Sequence, residues 1–176
     1  MNVKIRLLTP AAKVPTYATD GAAAFDLYAA EDVIIAPGET AKVPLGLAIE
    51  IPTGYEMQIR PRSGITLNTK LRVANSPATI DSDYRGEVAV LLDNLEPRST
   101  SASRVVLSLN GGYAIWDIGE RCQIGTYLIR AGDRIAQGVI APVTRVSFAE
   151  TDEELTQTER GNGGFGHTGT GTEAEK

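Results

Sequence analysis

Short apolar runs, cut again and again by turn residues, restrict this chain more than any other feature. Residues 3–8 alternate apolar and polar until Pro10 and Pro15 break the pattern. Phe25-Asp26-Leu27-Tyr28-Ala29 follows the small-residue run Gly21 to Ala24, and Asp32 to Ala36 closes at Pro37-Gly38. Lys42 to Ile51 supplies two more runs, and Pro52-Thr53-Gly54 turns into Tyr55-Glu56-Met57-Gln58-Ile59-Arg60. Val105 to Leu109, Asn110-Gly111-Gly112 and Tyr113 to Ile118 spell a hairpin, and strand-like runs recur at Gly125 to Ile129 and Gly138 to Val143. Turn signals about every eight to twelve residues predict an all-β sandwich or barrel. Helical period is nearly absent. The exception is Thr151 to Glu159, where Thr151 and Glu154 have capping-box spacing but little apolar face follows.

The chain has 176 residues, enough for one domain with an appendage, and its 42% hydrophobic content can fill a core. The net charge of −5 provides no basic field for a large nucleic acid, although a few focused arginines could hold a small anion. Cys122 is the only cysteine, so there is no disulfide framework, and a lone thiol suits a reducing cytosol. No run reaches the eighteen or so apolar residues that cross a bilayer. The opening residues lack the apolar core of a signal peptide. A cytoplasmic location is therefore expected. Past Phe148 the sequence turns polar, with four glycines in residues 161–166, and predicts a mobile arm over 149–176 beside a core over 1–148.

Chemistry concentrates in a few stretches. Thr79-Ile80-Asp81-Ser82-Asp83-Tyr84-Arg85-Gly86-Glu87-Val88 places carboxylates, a phenol and a guanidinium on a tight turn. Its flanks, Ala78 to Ile80 and Val88 to Leu92, are expected to pair as a hairpin; the plain alternative is an acidic β-turn. Pro61-Arg62-Ser63-Gly64 is read as a strand-ending turn whose guanidinium, hydroxyl and backbone amides suit a phosphate. Asp26 lies among apolar neighbours, where an unpaired carboxylate is costly, so it needs a cation, a cation-bound water or an arginine. Gly132-Asp133-Arg134-Ile135-Ala136-Gln137 reads as a turn entering a strand, with a local ion pair and Gln137 as a neutral donor. Gly161, Gly163 and Gly166 match the spacing of a dinucleotide fingerprint, but no strand precedes them and no βαβ unit surrounds them. A flexible arm that closes on a nucleotide is the better reading, with a ring for the base and Arg160 and Thr168 for phosphate. His167, the only histidine, has no neighbours to make a metal site and is either solvated or a phosphate donor.

Taken together these stretches resemble the trimeric deoxyuridine triphosphatase (dUTPase) family, with all five of its motifs in order. They are Ala22 to Ala29, Pro61 to Ile65, Asn75 through Gly86, Gly132 to Gln137, and Arg160 to Gly169. The resemblance implies a distorted jelly-roll barrel, a homotrimer with active sites between subunits, and Mg²⁺-dependent hydrolysis of dUTP to dUMP and pyrophosphate. That activity keeps uracil out of DNA and supplies dUMP for dTMP synthesis. It also implies roles. Asp81 is the general base that activates water, an assistance of about 10²–10⁴-fold. Tyr84 lies under the deoxyribose and leaves no room for a 2′-hydroxyl. Asn75 and backbone near Ile80 read the uracil edge. Arg62, Ser63, Gly64 and Gln137 hold phosphates, and Asp26 meets waters on a Mg²⁺ that the triphosphate chelates. Phe165 caps the base, Arg160, His167 and Thr168 take the terminal phosphate, and Gly166 belongs to the same substrate-binding stretch.

The sequence departs from the family pattern in places. Ala24 and Ala78 stand where glycine is common, and His167 replaces a more usual serine. The span from Asn94 to Gly132 is longer than the basic pattern, which resembles phage-type enzymes with a segment inserted at about 97–127. That insert is expected to be a surface hairpin, either a passive decoration or a contact for a protein partner, and a phage origin fits it. Other functional classes are a dCTP deaminase of the same fold, which ammonia release would reveal, and a nucleotide-responsive regulator. A purely structural jelly roll leaves the joint spacing of Asn75, Asp81 and Tyr84 without a reason.

Overall fold

Alternation governs the strands as the sequence predicts. In Tyr55–Arg60, Met57 and Ile59 are buried while Gln58 and Arg60 face outward. In Ala89–Asn94 the buried residues are Val90, Leu92 and Asn94. The computed structural model describes residues 1–115, 120–165 and 167. Among these, the only helix is the short Ser63–Asn68, and the remaining elements are strands. Two units are distinguished, Met1–Thr144 and Arg145–Lys176.

The first unit is built on a five-stranded sheet in the order Thr16–Tyr17, Phe25–Tyr28, Arg134–Pro142, Tyr55–Arg60 and Ala78–Ile80, antiparallel throughout. A three-stranded sheet places Ala89–Asn94 between Thr40–Pro44 and Leu71–Val73. Lys4–Leu7 pairs with Leu47–Glu50. Leu27, Ile35, Val43, Leu45, Leu47, Met57, Ile59, Leu92, Ile129 and Ile135 are among the side chains that fill the core. Gly138 stands opposite Phe25, and a Cβ there would come within 2.6 Å of Cζ of the Phe25 ring, so only glycine lets that ring lie across the strand.

Three expectations are corrected. Pro61 to Gly64 is not a simple turn, because Ser63 and Gly64 begin the helix Ser63–Asn68. Ile65 is its only buried residue, so the sequence has no apolar period to display. The helix holds because Ile65 docks in the core and the Thr69 hydroxyl donates to the Ile65 carbonyl at 2.7 Å, which ends it. Thr151 to Glu159 forms no helix, and the Glu153 amide instead donates to the Thr151 hydroxyl at 3.1 Å. A first turn with no apolar face to bury does not recover its nucleation cost.

The third correction concerns Ala78–Ile80 and Ala89–Asn94, which do not pair. Ala78–Ile80 pairs with Tyr55–Arg60, and Ala89–Asn94 lies in the other sheet. Val88, Val90 and Leu92 are buried by crossing to that sheet, where Val90 stands opposite Val43. The Val88 amide donates to the Leu47 carbonyl at 2.9 Å, and the Leu45 amide donates to the Val88 carbonyl at 3.0 Å. Residues 81–87 are thus a crossover between sheets rather than a hairpin tip.

The segment at 97–127 joins the core. Val105–Leu107 pairs antiparallel with Tyr113–Ile115, as the Asn-Gly-Gly signal predicts, and lies parallel to Tyr127–Ile129, which in turn pairs with Val33–Ile35. Ala102–Ser103 pairs with Cys122–Gln123. The expected hairpin reached Ile118; residues 116–119 lie outside the described residues.

Candidate active site

Antiparallel register sets Asp26, Gln137 and Arg60 side by side, because Gln137 pairs with Asp26 on one side and with Arg60 on the other. Paired residues point to the same sheet face, so these three share the floor of a cleft of about 420 Å³. Its walls include Ala22, Ala23 and Ala24, with Arg62, Ser63 and Gly64 at the start of the helix.

Asp26 has two arginine partners. Arg62 Nε lies 3.0 Å from one carboxylate oxygen and Arg134 Nη1 lies 3.2 Å from the other, with the Asp26 side chain only 12% exposed. Two guanidinium groups offset the cost of removing a carboxylate from water. Arg62 also donates to the Arg134 carbonyl at 3.2 Å. The Gln137 amide donates to the Pro61 carbonyl at 2.8 Å, tying the sheet to the helix entrance. The cleft thus presents three guanidinium groups, those of Arg60, Arg62 and Arg134, against a single carboxylate, an arrangement that favours a polyanion.

A second cleft of about 260 Å³ is lined by Lys42, Ile80, Asp81, Tyr84, Glu87 and neighbours. Its walls come from the crossover itself. The Tyr84 amide donates to the Asp81 carbonyl at 3.1 Å, closing the turn, and Asp81 is exposed. The Tyr84 hydroxyl donates to the Glu87 carbonyl at 2.9 Å. A Cβ on Gly86 would lie 2.6 Å from Cζ of the Tyr84 ring, so the ring rests on bare backbone. The Glu87 carboxylate in turn accepts the Gly46 amide at 3.1 Å. Asn75, exposed in the turn before Ala78–Ile80, lines neither cleft.

The two clefts lie apart on one chain. Ile80 stands opposite Met57, so the strand carries Asp81 away from Arg60 and Gln137. Asp81 follows Ile80 toward the level of Glu56, about 13 Å from Arg60 along the strand direction at roughly 3.3 Å per residue.

In the second unit, Arg160 turns back on its own loop. Its Nε donates to the Gly163 carbonyl at 2.8 Å, and the Gly163 amide donates to the Arg160 carbonyl at 3.0 Å. The His167 amide donates to the Gly164 carbonyl at 3.1 Å, and Phe165 takes a left-handed backbone with φ of 47°. Gly166 and Thr168 lie outside the described residues.

Sequence reasoning passes over Arg60, treats Arg134 only as half of a local pair, and gives Lys42 and Glu87 no role. Arg60 carries a readable signal. It shares the outward face of its strand with Glu56 and Gln58, next to the Pro61-Arg62-Ser63 turn.

The dUTPase family model matches residues 11–102, just over half of the chain. A deoxyuridine 5′-triphosphate nucleotidohydrolase of Nautilia profundicola is 46% identical over 96% of this chain and 99% of its own length. Among solved structures, a mutant dUTPase of Staphylococcus bacteriophage 80alpha with dUpNHpp superposes with a TM-score of 0.88 at 27% identity, covering 96% of this chain and 99% of that one. A mutant dUTPase from phage phi11 of S. aureus, described for its coordination of a structural Mg(II) ion, gives 0.82 at 29% identity over 89% of this chain and all of that one. With an all-β core, a guanidinium-lined cleft and the Asp81 crossover alongside these likenesses, the chain belongs to the dUTPase family.

Proposed function

We propose that the chain hydrolyses dUTP to dUMP and pyrophosphate at a site shared between copies of itself, as a homotrimer. One observation carries this reading, the separation of the two clefts. Asp81 lines a different cleft from Arg62 and Ser63, its backbone offset by about 13 Å from that of Arg60 along the strand direction, which favours a site that one chain does not complete alone. A second copy can bring its own crossover there.

In this reading Arg62, Ser63, Gly64 and Gln137 hold the phosphates by charge-assisted bonds, and the hold of Pro61 on Gln137 orients its amide. Asp81 accepts a proton from water as the water oxygen bonds to the α-phosphorus and the bond to the β-phosphate oxygen breaks, releasing pyrophosphate. Tyr84, resting on Gly86, presents a ring face to the deoxyribose and leaves no room for a 2′-hydroxyl. Asn75 and the backbone near Ile80 read the uracil edge. Phe165 caps the base, Arg160, His167 and Thr168 engage the terminal phosphate, and Gly166 belongs to the same substrate-binding stretch.

The donor set bears on Mg²⁺. No group of three or more His, Cys, Asp or Glu among the described residues could hold a metal ion, and both Asp26 oxygens face guanidinium groups. Such a set fits a hydrated ion that arrives on the triphosphate, with Asp26 meeting its waters, because Mg²⁺ keeps several waters and takes few carboxylates. Bound there, it would neutralise phosphate charge.

Mixed subunits test the proposal. Asp81→Asn and Arg62→Ala chains, each inactive alone on dUTP, are expected to regain pyrophosphate release when co-assembled. Failure of stable mixed assemblies to regain any activity would sink the shared site. dTTP, dCTP and UTP are expected to yield no pyrophosphate with the wild type, and ammonia from dCTP would point to a deaminase instead.

A second reading rests on the insert. Tyr113 is 78% and Ile115 71% exposed on one face of their strand, which favours a contact surface for a protein partner there. Replacing both by serine is expected to abolish capture of any such partner while dUTP turnover stays intact.

A further inference from the structure

The three arginines of the first cleft are not equivalent. Arg62 and Arg134 both lean on Asp26, so their charge is partly neutralised before any ligand arrives. Arg60 makes no ion pair among the described residues. Instead its Nε and Nη2 both donate to the Gln58 side-chain oxygen, at 3.1 and 2.6 Å. The Gln58 amide nitrogen donates to Glu56 Oε1 at 2.7 Å. Glu56, Gln58 and Arg60 are successive outward positions of one strand, so this ladder follows from the two-residue period.

A neutral amide fixes the orientation of a guanidinium without cancelling its charge. A carboxylate at position 58 would do both. The ladder therefore delivers an oriented cation, with no direct carboxylate partner among the described residues, to a cleft floor where Gln137 is its cross-strand neighbour. Like charges facing one cleft repel one another, so a third arginine there raises the energy of the empty protein and lowers it again when an anion binds.

We propose that Arg60 is a further phosphate-binding residue, held in its binding orientation by Gln58 as a positioning residue. The assignment rests on the reading of the first cleft as the polyphosphate seat, and it adds a contact that the family motifs do not contain. A guanidinium-to-phosphate bond in a partly screened site is worth roughly 10- to 100-fold in affinity, about 1.4–2.7 kcal/mol. Because Arg60 holds ground state and transition state alike, its loss acts on KM more than on kcat.

The test measures inorganic tripolyphosphate binding by calorimetry, together with inhibition of dUTP turnover by deoxyuridine, on the full chain. Arg60→Gln is expected to weaken tripolyphosphate about tenfold or more and to raise KM for dUTP in parallel. Deoxyuridine, which has no phosphate, is expected to inhibit unchanged. Gln58→Glu removes nothing from the cleft but gives Arg60 a carboxylate partner, and is expected to weaken tripolyphosphate in the same direction. Arg60→Lys, which keeps the charge and loses the fork, falls between. Arg60 is exposed, so these variants keep the core intact. Unchanged tripolyphosphate affinity in Arg60→Gln, or an equal loss for deoxyuridine, overturns the assignment. Because tripolyphosphate binding is read without turnover, an inactive wild type would count against the hydrolase reading alone.

Discussion

The two clefts are built by opposite means. The arginine cleft assembles residues far apart in the chain, Asp26, Arg60, Arg62, Arg134 and Gln137, through sheet register and two ion pairs. The Asp81 cleft is largely the work of one crossover, shaped by short-range bonds from Tyr84 to Asp81 and from Tyr84 to Glu87 and by the bare backbone of Gly86. Long-range construction suits a seat for charge, since the sheet spaces several cations without depending on any one turn. Local construction suits a group whose aim must be fixed within a few tenths of an ångström, because fewer links intervene.

If that contrast is right, the largest effect belongs to the aimed group. Asp81→Asn is expected to lower kcat for dUTP by about 10²–10⁴-fold while leaving nucleotide affinity within a small factor. Equal losses in binding and turnover, seen by calorimetry beside steady-state rates, would mean that Asp81 holds substrate rather than activating water. Next comes the bare backbone beneath Tyr84. A Cβ from Gly86→Ala collides with the Tyr84 ring, so discrimination between dUTP and UTP in kcat/KM is expected to fall by roughly tenfold, about 1.4 kcal/mol. A variant with unchanged selectivity would detach the ring from sugar recognition. The smallest catalytic effect is expected from the distributed cleft. Asp26→Asn leaves Arg62 and Arg134 with a neutral partner, which is expected to cost about 1–3 kcal/mol in urea unfolding and to change kcat only a few-fold. A kcat loss as deep as that of Asp81→Asn would erase the distinction between the two clefts.

The same contrast decides what is legible in the sequence. Asp81, Tyr84 and Gly86 fall within six positions, so their company shows in the order of residues alone. Strands such as Tyr55–Arg60 are equally legible, since alternation is a local property of the chain. The partner of Val88 to Leu92 is not, because alternation says which side chains are buried and not against which sheet. Asp26 needs a cation by solvation alone, yet only the register of Arg134–Pro142 and the helix entrance can name Arg134 and Arg62. The helix Ser63–Asn68 leaves no pattern to read, because a single buried isoleucine carries no period.

One junction in the fold reaches beyond catalysis. Tyr127–Ile129 has Val33–Ile35 along one flank and Val105–Leu107 along the other. The Tyr127 hydroxyl accepts the Lys70 amide at 3.0 Å and donates to Glu96 at 3.1 Å, and burial raises its pKa above the ordinary phenol range. The hairpin of Val105–Leu107 and Tyr113–Ile115 thus covers one flank of a buried strand, with Leu107 opposite Tyr127. Removing that hairpin would free the Thr126 carbonyl, which accepts the Leu107 amide at 2.8 Å, and leave a barer edge on which other chains could pair.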